Sequence, residues 1–205
     1  YSYFGMKDPV VGGYEPEKVA LRRAIVLGQD VGAEIRIARK NQAIVAHGPI
    51  GPGAMGYDAD FRSTATEYDP ARSKALLDMY GYVDRDGDGW RDLPRANGNG
   101  ECKPFTIEYA SAPSATQKPL DENWKKNMDA IGINMTFKKA KWPDLLKESK
   151  AGRLQMWGLG WSAAMPDADA FFVMLYGPNS GQANHSRFVL PEFDRLYEQA
   201  KRLPN

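Results

Sequence analysis

Several groups of residues in this 205-residue sequence have types and spacings that suit chemistry. Asp84, Asp86 and Asp88 stand at alternate positions, with Gly89 and then Asp92 behind them. That is the first half of a calcium loop. Arg95 occupies the position of the bidentate glutamate, so the full pattern fails, and an acidic turn in a hairpin between two short strands is the plainer reading. Calcium at Asp84, Asp86, Asp88 and Asp92 would be structural, and no other cofactor is expected. Ser162 could serve as a nucleophile only beside a paired base. The two histidines, His47 and His185, lie far from it along the chain, although folding can bring one close. Neither has a second His or Cys at ligand spacing, so both are expected to be structural or surface residues. Asp167 and Asp169 open a helical stretch, where such a pair serves as cap and dipole partners more often than as acid and base. Nothing matches a Gly-x-Ser-x-Gly elbow, a His-Glu-x-x-His pair or a Walker loop, and the Pro/Gly loop 47–53 lacks the Lys-Ser/Thr ending of a phosphate loop. The remaining candidates are aromatic. Trp142 and Trp161 are either the walls of a small-molecule site or packing residues.

The elements that would position these residues can be read from periodicity. Leu154 to Gly160 is a short, mostly apolar run that suits a buried strand. It breaks at Gly158 and Gly160, exposes Trp161, and passes through a small-residue turn to Pro166 and Asp167, where a helix over 171–176 can start with Asp167 as its cap. In an open α/β sheet, ligands sit at such a carboxyl edge. Upstream, Phe105, Ile107 and Tyr109 alternate as a strand. Leu120, Trp124, Met128 and Ile131 follow at helical spacing, Ile133, Met135 and Phe137 alternate again, and Pro143 opens a helix carrying Leu145 and Leu146. This β-α-β-α-β succession predicts strands near 105–110, 133–139 and 154–160 in one largely parallel sheet. Before it, Pro16 starts a helix with Leu21, Ala24, Ile25 and Gly28 on one face. A second helix runs from Asp30 to Lys40, where Arg36, Arg39 and Lys40 make a solvated end rather than a phosphate patch. A third starts at Asp69-Pro70 with Ala75, Leu76 and Met79 as its stripe. The stretch 95–100 reads as a glycine-rich loop tip. A last helix sets Phe193, Leu196, Tyr197 and Ala200 on one face.

Composition narrows the classes. A net charge of +1 with 26% charged residues gives no electrostatic case for nucleic acid. No apolar run approaches the roughly 20 residues of a membrane span. The single cysteine, Cys102, excludes an internal disulfide and a thiolate zinc cluster. The chain starts at Tyr1 without a signal peptide and reads as a piece cut from something longer, so its targeting is not legible.

The succession Tyr68 to Tyr82, the acidic run Asp84 to Asp92, Ile131-Gly-Ile133, and Trp142 through Gly160-Trp161 resembles the family 5 extracellular solute-binding proteins. These are the peptide, nickel and related binding subunits of ABC importers. The resemblance covers nearly the whole chain, and it rests on the order and spacing of motifs, none of them decisive alone. It implies an α/β, type II periplasmic-binding-protein-like lobe, with a mixed, mostly parallel sheet flanked by helices. Residues 1–205 would be most of the second of two lobes that close on a solute. Within them, 1–7 is a crossover strand near the hinge, 8–102 holds helices, loops and the Asp-rich hairpin, and 103–205 holds the β-α-β-α-β core and final helices. The implied protein is a monomer in the periplasm or outside the cell, held at the membrane through the importer. Its partners are a small solute, peptide included, and the permease subunits. The alternative is a hydrolase-like α/β enzyme domain whose catalytic groups are split across the chain or lie outside it. In peptide binders a Trp before the helix and the Trp ending the next strand line the cavity, and Trp142 and Trp161 match them. Ser162 matches the ligand-facing residue that follows. The expected cleft residues are thus Trp142, Trp161, Ser162, Ala163, Ala164 and Asp167. Peptide binders keep an aspartate for the peptide's amino terminus where this chain has Ala164. Either Asp167 or Asp169 replaces it, or the ligand has no free amine there. The second alternative fits better, because both aspartates also suit cap duties.

Overall fold

Prolines and glycines punctuate the elements of the computed structural model, which describes residues 1–95 and 103–203. The loop tip expected at 95–100 lies, apart from Arg95, outside the described residues. Strand β1 (Ser2–Phe4) leads to helix α1 (Pro16–Gly28), α2 (Val31–Ile37) and α3 (Pro70–Met79). The sheet half follows with β2 (Ile107–Ser111), α4 (Lys118–Ala130), β3 (Met135–Lys139), α5 (Trp142–Ala151) and β4 (Met156–Gly158). Two short helices close the described chain, α6 (Asp169–Phe172) and α7 (Pro191–Ala200). Proline stands in the first turn of α1, α3, α4, α5 and α7, where no backbone N–H is needed. Asp30 and Asp69 cap α2 and α3 by accepting from Ala33 N and Arg72 N.

The sheet has the order β1-β4-β2-β3. β2 is parallel to both β3 and β4, and β1 runs antiparallel to β4 with Tyr3 opposite Trp157. The three strands expected from alternation thus share one parallel sheet, with narrower bounds than the apolar runs suggested. Alternation then builds two cores. Ile107, Tyr109, Met135 and Met156 face α1, α3 and α4, where Leu21, Ile25, Leu77, Trp124 and Met128 complete the larger core. Ala110, Trp157 and Tyr3 face the opposite way and pack with Leu145 of α5 and with Leu154. Helices therefore cover both faces, as the β-α-β pattern requires.

Four details differ from the sequence reading. Helix α2 stops at Ile37, three residues short of Lys40, and Lys40 and Asn41 take left-handed backbone. In α3 the buried positions are Ser73 and Leu77. Ala75 is exposed and Met79 is 72% exposed, because Ser73 turns inward to donate to Ala24 O at 2.7 Å. In α7 only Tyr197 is buried, while Leu196 and Ala200 face solvent. The Asp-rich stretch is a run of turns closed by Asp92 N to Val83 O, with no regular strand beside it among the described residues. Its carboxylates take the backbone donors that a ladder would use: Asp84 accepts from Gly87 N and Gly89 N, Asp86 from Asp88 N, and Asp88 from Trp90 N.

Candidate ligand-binding site

The parallel strands β2, β3 and β4 all end on one edge of the sheet, and antiparallel β1 begins there. Trp142 comes three residues after the end of β3, and Trp161 comes three residues after the end of β4. β2 separates their strands, so the two are offset by two strand spacings, about 10 Å. Both are exposed, Trp142 by 56% and Trp161 by 41%. Single exposed apolar residues are ordinary, so it is their shared edge of the sheet that makes these two candidates.

The charges at this edge already satisfy one another. Asp121 is buried, pairs with Lys139, and accepts from Ser111 Oγ at 2.7 Å and Gln117 Nε2 at 3.1 Å. A depression of about 660 Å³ on the flank of α4 and β3 is lined by Lys118, Glu122, Lys125 and Asp129, among others. There Lys118 meets Glu122 at 3.8 Å and Lys125 meets Asp129 at 2.5 Å. It is a solvated flank whose charges are largely paired with one another.

The cavity beside β1 is different. It holds about 580 Å³ and is walled by Tyr1, Phe4, Trp161, Phe171, Met174, Leu175 and Phe188, with Ala46, Gly48 and Pro49 from the long loop between α2 and α3. The lining is mostly apolar and aromatic, a composition that suits a small molecule. Trp161 is set by the hydrogen bond from its Nε1 to Ala170 O, at 2.6 Å, which ties the strand end to α6. Met55 N donates to Pro166 O at 2.8 Å and ties the long loop to the same turn.

His185 and Arg22 add polarity to this wall. His185 is buried, and its Nδ1 lies 2.7 Å from Ser149 Oγ, which in turn lies 2.5 Å from Tyr3 OH. Desolvation lowers the His185 pKa below its ordinary value, and Lys150 and Arg187 push it the same way. His47 instead bonds Thr66 Oγ1 through Nδ1 at 2.8 Å, as a loop brace.

Of the expected cleft residues, the structure brings only Trp161 into this cavity wall; His185, expected to be structural or at the surface, lines it too. Trp142 shares its edge of the sheet but not the cavity. Ser162 and Ala164 are exposed in the turn after Trp161, and Ala163 is half-buried there. Asp167 is not the cap of α6. Ala168 holds that position, one residue further on, and Asp167 Oδ1 accepts from Asp169 N at 2.7 Å; the helix runs over Asp169–Phe172 and stops short of the expected Tyr176. Asp169 accepts from Tyr197 OH at 2.6 Å. Both aspartates are thus engaged within the chain. The serine–histidine contact between Ser149 and His185 is no nucleophile–base pair, since Ser149 is 0% exposed and no substrate reaches its Oγ. Asp84, Asp86 and Asp88 bring carboxylate oxygens within 4.8 Å of one another. Asp92 stands apart from this group, buried and accepting from Arg85 N at 3.0 Å. The lining residues missed in the sequence left one trace: Phe171, Met174 and Leu175 share a helical face in the stretch after Asp167. Arg22 and His185 left none, because their place in the wall depends on contacts between distant segments.

The fold and this edge define the class, that of type II periplasmic binding proteins. The chain belongs to the bacterial extracellular solute-binding proteins, family 5, whose middle-region model matches residues 10–183. It is 28% identical over 183 residues to di/tripeptide-binding protein 2 of Pseudomonas aeruginosa, covering 88% of this chain and 31% of that protein. It is 27% identical over 191 residues to heme-binding protein A of Haemophilus influenzae, covering 92% of this chain and 32% of that one. The oligopeptide-binding protein AppA of Bacillus subtilis, solved with a nonapeptide, superposes with a TM-score of 0.82 over 100% of this chain and 39% of its own, at 18% identity. The chain thus spans about a third of the length of the curated relatives it matches. Among the described residues no helix is long and apolar enough to cross a membrane.

Proposed function

We propose that this chain is most of the second lobe of a non-catalytic solute-binding subunit of an ABC importer. The whole protein captures a peptide or other small solute between two lobes and delivers it to a membrane permease. The observation that carries this reading is the aromatic cavity at the sheet's edge, with Trp161 fixed by Ala170 and 41% of its surface left open. β1 is the crossover strand near the hinge, and closure swings the other lobe onto this edge. We assign Trp142, Trp161, Ser162, Ala163 and Ala164 to the cleft. Asp167 holds the turn that presents them. The protein works as a monomer in the periplasm or outside the cell and meets the membrane through its permease. The Asp84 loop is structural, since its carboxylates already hold its own backbone, and no cofactor takes part. The names of the relatives support a peptide or haem-like cargo, and support binding rather than turnover.

The test is native mass spectrometry of the full-length protein. A small molecule should be released on denaturation, rebind saturably, and be recovered unchanged after long incubation. Conversion of that molecule by the protein would contradict the reading and favour the enzyme alternative.

A further inference from the structure

The cavity's charge balance says what kind of solute it takes. Arg22, from α1, is the one cationic arginine or lysine among the residues that line it, and no aspartate or glutamate lines it. Arg22 Nη1 donates to Val11 O at 2.6 Å. Among the described residues no carboxylate lies within ion-pair distance of its guanidinium. A guanidinium has five N–H donors in a fork that matches a carboxylate, and a part-buried cation without a counter-ion is costly. Burial works against the charge of Arg22, and only more distant groups, Tyr14 and Glu15 first, support it. The second polar group of the wall is His185, whose Nδ1 is taken by Ser149 and whose Nε2 has no protein partner among the described residues. In the turn after Trp161, Asp167 and Asp169 are engaged within the chain and residue 164 is alanine. The described lining thus offers a cation for an anionic group and no carboxylate for an ammonium.

We propose that the cavity takes a solute bearing a carboxylate on an apolar or aromatic body, with the carboxylate seated on Arg22 and the body against Trp161. This deepens the solute-binding reading and rests on it.

The full-length protein is titrated by calorimetry with a panel of apolar dipeptides and aryl carboxylates, each paired with its carboxamide. At least one free acid should bind about 10- to 100-fold more tightly than its amide, the range for a hydrogen bond to a charged group. Arg22→Gln should bring the ratio close to one, and Arg22→Lys should keep part of it. Equal affinity of acid and amide in the wild type overturns the inference without needing any variant. So does a preference for acids that survives in Arg22→Gln. A carboxylate from elsewhere in the longer chain is the rival occupant of Arg22. It would show as a lower Tm of the solute-free Arg22→Gln protein together with an acid-to-amide ratio of one in the wild type, which also overturns the inference. Tight binding of neutral solutes alone overturns the carboxylate but leaves solute binding intact. Failure to bind any member, with nothing released on denaturation, overturns both.

Discussion

At the scale of single residues, Ala164 and Trp161 carry the distinction between charge and wall. If Ala164 lines the cleft, Ala164→Asp in the full-length protein raises affinity for ligands with a free amino terminus. It weakens a ligand that is neutral or anionic at that end, because an unpaired buried carboxylate costs several kcal/mol or raises its own pKa. The affinity ratio of one peptide and its N-acetyl form, measured on both variants, is the check; an unchanged ratio means residue 164 only packs the turn. Trp161→Ala should weaken both forms by about 2 kcal/mol, the loss typical of a central aromatic contact. His185 sets a pH dependence. Desolvation holds its folded-state pKa below the unfolded value, with Lys150 and Arg187 adding to the effect and the Tyr3–Ser149 pair on its Nδ1 side. Its contribution to stability is therefore complete above the unfolded pKa of about 6.5 and is lost as pH falls through the lower folded value, because the unfolded chain takes up the proton first. His185→Gln should flatten the Tm-against-pH curve below that point. A curve of unchanged slope would show that carboxylates elsewhere set the acid limit.

At the scale of elements, the sheet and its two cores hold the site in place. Leu77→Ala empties a fully buried position between α3 and α1 and should cost about 2–5 kcal/mol in denaturant unfolding, whereas Met79→Ala on the exposed side should cost under about 0.5 kcal/mol. Similar costs for both would contradict the inward turn of Ser73 that sets this face. Gly158 is bound more tightly. A Cβ there would stand 2.5 Å from the Tyr109 hydroxyl, which also lies 3.1 Å from Ser2 Oγ, so Gly158→Ala should disturb both β4 and the start of β1. Period-2 alternation made Ile107, Tyr109 and Met135 legible as strand residues, since each apolar side chain faces a helix-covered core. The α3 stripe was misread because Leu76 and Met79 look as apolar as Leu77, and only the hydrogen bond from Ser73 to Ala24 decides which side turns in. The exposed place of Trp161 beyond the strand end was legible from the glycine-broken strand before it. Arg22 and His185 were not legible as lining residues, since they share a cavity with Trp161 only because the fold brings α1 and an irregular loop to the same wall.

At the scale of the whole molecule, the chain covers about a third of the curated relatives it matches. If the second wall comes from the rest of the protein, residues 1–205 alone make roughly half the contacts, while the rigid-body cost of association, about 4–15 kcal/mol, is not halved with them. The most direct measurement is calorimetry of one solute against the full-length protein and against residues 1–205 alone, in the same buffer. The account predicts saturable one-to-one binding by the full-length protein and affinity at least about 100-fold weaker, or no heat at all, for the isolated lobe, whose fold is checked in parallel by circular dichroism. Equal affinity of the two would contradict it, since the site would then lie wholly within this lobe.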